Sequence, residues 1–218
     1  MSQLDAPIPG ADEIARPDGR AQTIGFLAVP ETTAEAQRSF DEDVAELGYV
    51  MNTSRLWAYQ PETSTGLFNL LRQANSADNL SLRQRSILVS ACASAFGDSY
   101  CSLAWGNKLA QASDPRTAAG VLRGDDHGLT GPERVMARWA RKVARDPNGA
   151  NAADVQALRD AGFTDSQIFT ITVFVALRLA FSAVNDALGL RPDAALRTTT
   201  PADVLAAVAH GRPIEKAE

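Results

Sequence analysis

Four times along this chain a Thr or Ser stands three residues ahead of a Glu or Gln, just before apolar residues that recur at helical spacing. In that arrangement the hydroxyl accepts from an early helix amide while the acid or amide side chain reaches back, so each instance marks a helix start. The four are Thr32 to Glu35, Ser81 to Gln84, Thr130 to Glu133 and Thr164 to Gln167. The first helix should bury Phe40, Val44 and Leu47 and stop at Gly48, because glycine readily adopts the left-handed residue that ends helices. The third carries Val135, Met136, Trp139 and Val143, and the fourth can run to Gly189 with Pro192 past its end. A short last helix is expected from Thr200, with Pro201 at its first helical position. Almost every segment reads as helix, so the expected class is all-α.

Two of the segments, 84–96 and 166–188, are apolar on nearly every side. Such a helix belongs at the centre of a bundle or in a subunit interface. A lightly polar loop, Asp114 to Thr130, is expected between the two halves. Residues 1–22, with Pro7, Pro9, Gly10, Pro17 and Gly19, read as an extended arm, and 23–218 as a single domain. A hydrophobic content of 45% with 22% charge suits one globular domain at 218 residues. The net charge of −5 is spread along the chain and gives no footprint for nucleic acid or an anionic membrane. The N-terminus, with Asp5, Asp12 and Glu13 among prolines, lacks the basic-then-apolar order of a signal peptide. The apolar run Ile168–Val184 is interrupted by Arg178 and is short for a membrane span. The chain holds two cysteines, too few for a disulfide framework, so a cytoplasmic location is expected.

Chemistry concentrates in Ser86 to Gly106, SILVSACASAFGDSYCSLAWG. Gly97 should end one helix and Asp98 should cap the next, which places Cys101 at the third helical position. The positive end of the helix favours a thiolate there, while the Asp98 carboxylate opposes it; the sequence leaves the sign of the net effect open. Cys92 reads as a small core residue. Trp105 offers an indole donor and a flat surface for packing or for an aromatic ligand. Arg178 interrupts an apolar helix and must either find a partner, Asp98 or a ligand carboxylate, or pack its stem and leave the guanidinium exposed. His127, between Asp126 and Gly128, reads as part of a solvated turn, and His210 lies in the tail. No zinc spacing, phosphate-binding glycine loop or nucleophile elbow occurs, so neither metal nor cofactor is expected.

The Ser86–Gly106 run resembles the motif of the alkylhydroperoxidase D-like branch of the carboxymuconolactone decarboxylase superfamily: a Glu, a Cys-x-x-Cys twelve residues on, and a His four beyond. On that pattern the Glu falls on Ser86, the first Cys on Asp98, the second on Cys101 and the His on Trp105, so the motif is degenerate and keeps only Cys101. The segments Phe40-Asp41-Glu42-Asp43-Val44 and Ala161-Gly162-Phe163-Thr164-Asp165-Ser166-Gln167-Ile168 are also similar to the family's text. The resemblance covers about Thr32 to Leu190. It implies a helical bundle assembled as a homo-oligomer, a trimer or hexamer.

It also implies three functional expectations. In the first, Cys101 is the attacking sulfur of a peroxidase-related protein acting on small organic molecules, with a thiol reductant supplied from outside the chain. In the second, Asp98 is the acid or base of a lyase or isomerase, with Ser86, Tyr100, Trp105 and Arg178 shaping the substrate site. In the third, the bundle has lost its chemistry and serves in binding or assembly.

Overall fold

The computed structural model describes residues 22–216; all but the last residue of the expected arm lie outside the described residues. Hydroxyl caps set the helix starts. Ser81, Thr130 and Thr164 each make the full reciprocal capping pair, with Gln84, Glu133 and Gln167. The first expected cap is displaced by one residue. Thr33, not Thr32, accepts from the Ala36 amide at 3.2 Å, which leaves Glu35 in the first turn, where it pairs with Arg38 at 3.0 Å.

A two-residue hairpin, β1 (Thr23–Ile24) antiparallel to β2 (Leu27–Ala28), leads into eleven helices among the described residues. These are α1 (Ala34–Leu47), α2 (Asn52–Trp57), α3 (Pro61–Asp78), α4 (Leu82–Phe96), α5 (Ser99–Ala112) and α6 (Pro115–Arg123). They continue as α7 (Gly131–Arg145), α8 (Ala152–Asp160), α9 (Asp165–Ala187), α10 (Leu196–Thr199) and α11 (Ala202–Ala207). The class is all-α, as the capping pattern predicts.

Helix α4 is the axis. Every residue from Ser86 to Ala93 is buried, and the helix packs against α5, α6, α7 and α9. Helix α9 differs from the expectation of burial on every side. It seats Ile171, Phe174, Val175 and Phe181 in the core, yet Phe169 is 72% exposed and Val184 38%. Its length and composition would suit a membrane span, but this buried face belongs to the bundle. A second, smaller core joins Ile24, Leu56, Tyr100 and Leu190.

Other expectations also change. Val44 and Leu47 are exposed, because α1 turns Ala36 and Asp43 inward instead; Asp43 accepts from the Met51 amide at 2.9 Å and so fixes the turn into α2. The Asp114–Thr130 segment is not a plain loop. Asp114 caps α6 (Thr117 amide, 3.0 Å), which buries Ala118, Ala119, Val121 and Leu122. The last helix starts one residue late, with Pro201 as its boundary residue accepting from Val204 and Leu205 amides at 3.0 Å each. Helix α9 ends at Ala187 and not at Gly189.

The turn after α6 carries a buried ion pair that the sequence reading placed in solvent. Asp126, at φ +53°, accepts two hydrogen bonds from Arg141 of α7, at 2.9 and 2.5 Å, and both side chains are 9% exposed. Arg141 also donates to the Val121 carbonyl at 2.8 Å, so one guanidinium closes the α6 C-terminus onto α7. Removing one partner leaves an uncompensated buried charge. Asp126→Ala should therefore cost about 3–5 kcal/mol in urea unfolding, and adding Arg141→Met should recover most of it. A loss under ~1 kcal/mol in the single variant would refute the pair's structural role.

Candidate functional site

The site forms where α4 stops and α5 begins. Gly97, at φ +96°, ends α4, and Asp98 starts α5 by accepting from the Cys101 amide at 3.0 Å. Asp98 is fully buried. Its second oxygen accepts the Ser182 hydroxyl of α9 at 2.5 Å, so one carboxylate caps α5 and ties it to α9.

Cys101 occupies the third position of α5 and is 3% exposed. Burial pushes its thiol pKa well above the ordinary range, the nearby Asp98 charge raises it further, and Arg178 opposes both. The Asp98 carboxylate, which accepts from the Cys101 amide, and the Ser182 hydroxyl both lie on the thiol's side of α5 and act on its titration. The competition left open by the sequence is thus decided against the thiolate. Burial likewise raises Cys92 to about 12.

Arg178 takes neither of its simplest expected positions. It forms no ion pair with Asp98 among the described residues, and only 9% of the residue is accessible. The guanidinium carbon lies 4.5 Å from the centre of the Trp105 ring, 5.6 Å from Phe174 and 5.8 Å from Phe68. Its Nε has no hydrogen-bond partner. Ser86 is fully buried, and its Oγ is also unpartnered. Tyr100 turns away from this group: its hydroxyl donates to Asp193 and lies 3.3 Å from Thr53, beside the smaller core. The structure therefore joins Asp98 to Cys101 and Trp105 to Arg178, and sets Tyr100 apart.

Ser182, Asp186 and His210, which the sequence reading did not assign to the site, stand close by. Arg178, Ser182 and Asp186 follow one another at intervals of four along α9 and share one face. Polar residues at that spacing in an otherwise apolar helix were a legible signal. Asp186 is half-buried, and burial, then the Asp98 charge, raise its carboxyl to about 7 against the opposing Arg212. His210 arrives from the tail: its ring Nε2 lies 3.1 Å from Ser102 Oγ. Burial lowers its pKa, with Asp98 opposing, so the imidazole is neutral at pH 7. The tail is held by a Ser99 hydroxyl to Arg212 carbonyl bond of 2.7 Å and by Gly211 at φ +69°, where a Cβ would come within 2.6 Å of the Gly97 carbonyl. A pocket of about 360 Å³ opens beside it, lined by Ser99, Leu103 and His210 among others. No group of three or more His, Cys, Asp or Glu side chains among the described residues is placed to hold a metal.

No protein-family model matches the sequence, and no curated protein is similar enough to stand as a relative. Solved structures are. An uncharacterized peroxidase-related protein from Ralstonia eutropha JMP134, described as an alkylhydroperoxidase AhpD core, superposes with TM-score 0.72 at 25% identity, covering 81% of this chain and 96% of that one. The chain has the alkylhydroperoxidase D-like fold. A peroxidase-related protein from Silicibacter sp. TM1040 shares that fold at TM-score 0.73 and 23% identity, covering 82% and 97% of the two chains. So does the debrominase Bmp8, solved as a cysteine-to-alanine variant with 2,3,4-tribromopyrrole, at TM-score 0.64 and 15% identity over 78% and 94%.

Two outcomes follow from the raised pKa values of Cys101 and Asp186. Iodoacetamide should label folded Cys101 at least ~10-fold more slowly than a cysteine peptide at about pH 7, with a rate still rising at about pH 9. A rate that levels off below about pH 8 would refute the neutral thiol. Asp186, whose folded pKa of about 7 lies above the ordinary 3.8, favours the folded state below about pH 4 and loses that contribution as pH rises through 7. In Asp186→Asn the fall in melting temperature across that window should flatten, and an unchanged slope would contradict the assignment.

Proposed function

We propose that this chain is a peroxidase-related protein of alkylhydroperoxidase-like chemistry, acting on small organic molecules through Cys101. The observation that carries the reading is a buried carboxylate, Asp98, beside the buried Cys101 at the start of a helix: it accepts from the Cys101 amide, and its charge acts on the thiol. A nucleophile paired with a base within hydrogen-bond reach is the arrangement thiol chemistry needs. The fold's occurrence in peroxidase-related proteins supports the redox branch, and a debrominase of this fold solved with a bromopyrrole supports small organic molecules as the class acted on.

The chemistry balances as follows. Asp98 accepts the thiol proton, and the Cys101 sulfur attacks the terminal oxygen of a hydroperoxide. The O–O bond breaks, the alcohol leaves with the proton returned from Asp98, and the sulfur, oxidised by two electrons, becomes a sulfenic acid. An external thiol condenses with it to give a mixed disulfide and water, and a second thiol releases Cys101 as the free thiol. Arg178 favours the transient thiolate electrostatically.

A second reading, a binding subunit without chemistry, rests on the burial and raised pKa values of both thiols. One experiment separates the two: consumption of cumene hydroperoxide with dithiothreitol. Wild type should turn over, Cys101→Ser should not, and Asp98→Asn should fall by about 10²–10⁴ in rate while keeping its helix cap, since Asn caps as well as Asp. No rate above buffer in wild type would reject the redox reading in favour of the second.

A further inference from the structure

The centre of the bundle holds a cation without an anion. Arg178 is nine-tenths buried and makes no side-chain hydrogen bond or ion pair among the described residues. Its neighbours add positive charge. Lys108 lies 4.9 Å from the other residue's stacking partner, the Trp105 ring. Arg85 is close enough to Arg178 and Lys108 for mutual repulsion, and its own Nε is buried without a partner. The exposed Glu46 is the carboxylate felt by Lys108, yet no ion pair forms between them. Two cations thus lie over one indole and a third acts on both, in a chain whose net charge is −5.

Stacking on Trp105, Phe174 and Phe68 compensates a desolvated guanidinium only in part. A buried charge is ordinarily matched by a counter-ion. The Cys101 thiol does not supply one, because it stays neutral at pH 7 despite its proximity to Arg178. What the cluster lacks is a small anion, and what surrounds it is aromatic surface. Arg85 is half-buried and Lys108 exposed, so the positive charge extends from the core outward to solvent.

We propose that Arg178, with Arg85 and Lys108 at its outer edge, binds the carboxylate of a small organic acid whose apolar body packs on Trp105 and Phe68. A guanidinium holds a carboxylate through paired charge-assisted bonds, and the unpartnered Nε is the donor left for one of them. As a substrate class the proposal rests on the Cys101 chemistry above; as a binding site it does not.

Calorimetric titration of the full chain tests it, with benzoate and hexanoate as probes and benzamide and hexanamide as uncharged controls. Both acids should bind at one saturable site, and the amides should bind at least ~10-fold more weakly. Cys101→Ser should bind the acids as wild type does. Arg178→Gln, checked for folding by circular dichroism, should lose at least ~10-fold in affinity. If that variant does not fold, Arg85→Gln and Lys108→Ala should each weaken binding by a few-fold. Amides binding as well as acids, undiminished binding in folded Arg178→Gln, or no saturable binding of either acid would overturn the site. Acid binding without hydroperoxide turnover would uphold this site and reject only the redox chemistry.

Discussion

The Asp98 carboxylate is the contact on which the rest of the structure turns. A buried carboxylate without a cationic partner is costly unless its oxygens are hydrogen-bonded. Here one oxygen takes the Cys101 amide and the other takes the Ser182 hydroxyl, while the helix end supplies partial positive charge. The same residue fixes two relations at once: the sharp α4–α5 junction after Gly97 and the docking of α9. Its charge then reaches the thiol, the tail imidazole and Asp186.

Magnitudes explain why the thiol stays protonated. A helix N-terminus contributes about 0.3–1 kcal/mol, up to ~2 in partly buried geometry. The effective penalty for an unpaired ion in a protein interior is several kcal/mol. At Cys101 that penalty and the Asp98 charge act in one direction, against the dipole and Arg178. The neutral thiol, not the thiolate, is therefore the resting state.

Most of the backbone was legible because caps are local. Ser81, Thr130 and Thr164 advertise helix starts within four residues, and Gly97-Asp98 announces both an end and a beginning. Side-chain direction was less legible. Tyr100 and Cys101 are adjacent in sequence but about 100° apart around α5, so one meets Asp193 and the other meets α9. Ser182 and Asp186 were readable from their spacing with Arg178. His210 was not: its contact with Ser102 spans 108 residues, and it depends on a left-handed Gly211 that no periodicity reveals.

The altered motif positions make physical sense as a set. In the pattern this chain resembles, the positions of Ser86 and Trp105 hold a Glu and a His, an acid and a proton carrier. Here the first carries no charge and the second is an indole against which a guanidinium is stacked. Ser86 offers a cation no counter-charge, while Trp105 provides the flat surface on which Arg178 lies. The one carboxylate gained, Asp98, is already committed to the Cys101 amide and Ser182. Two separate groups result: a carboxylate, Asp98, that caps the helix carrying Cys101, and an aromatic-walled cation, Arg178, to which we assign an anion from outside the bundle.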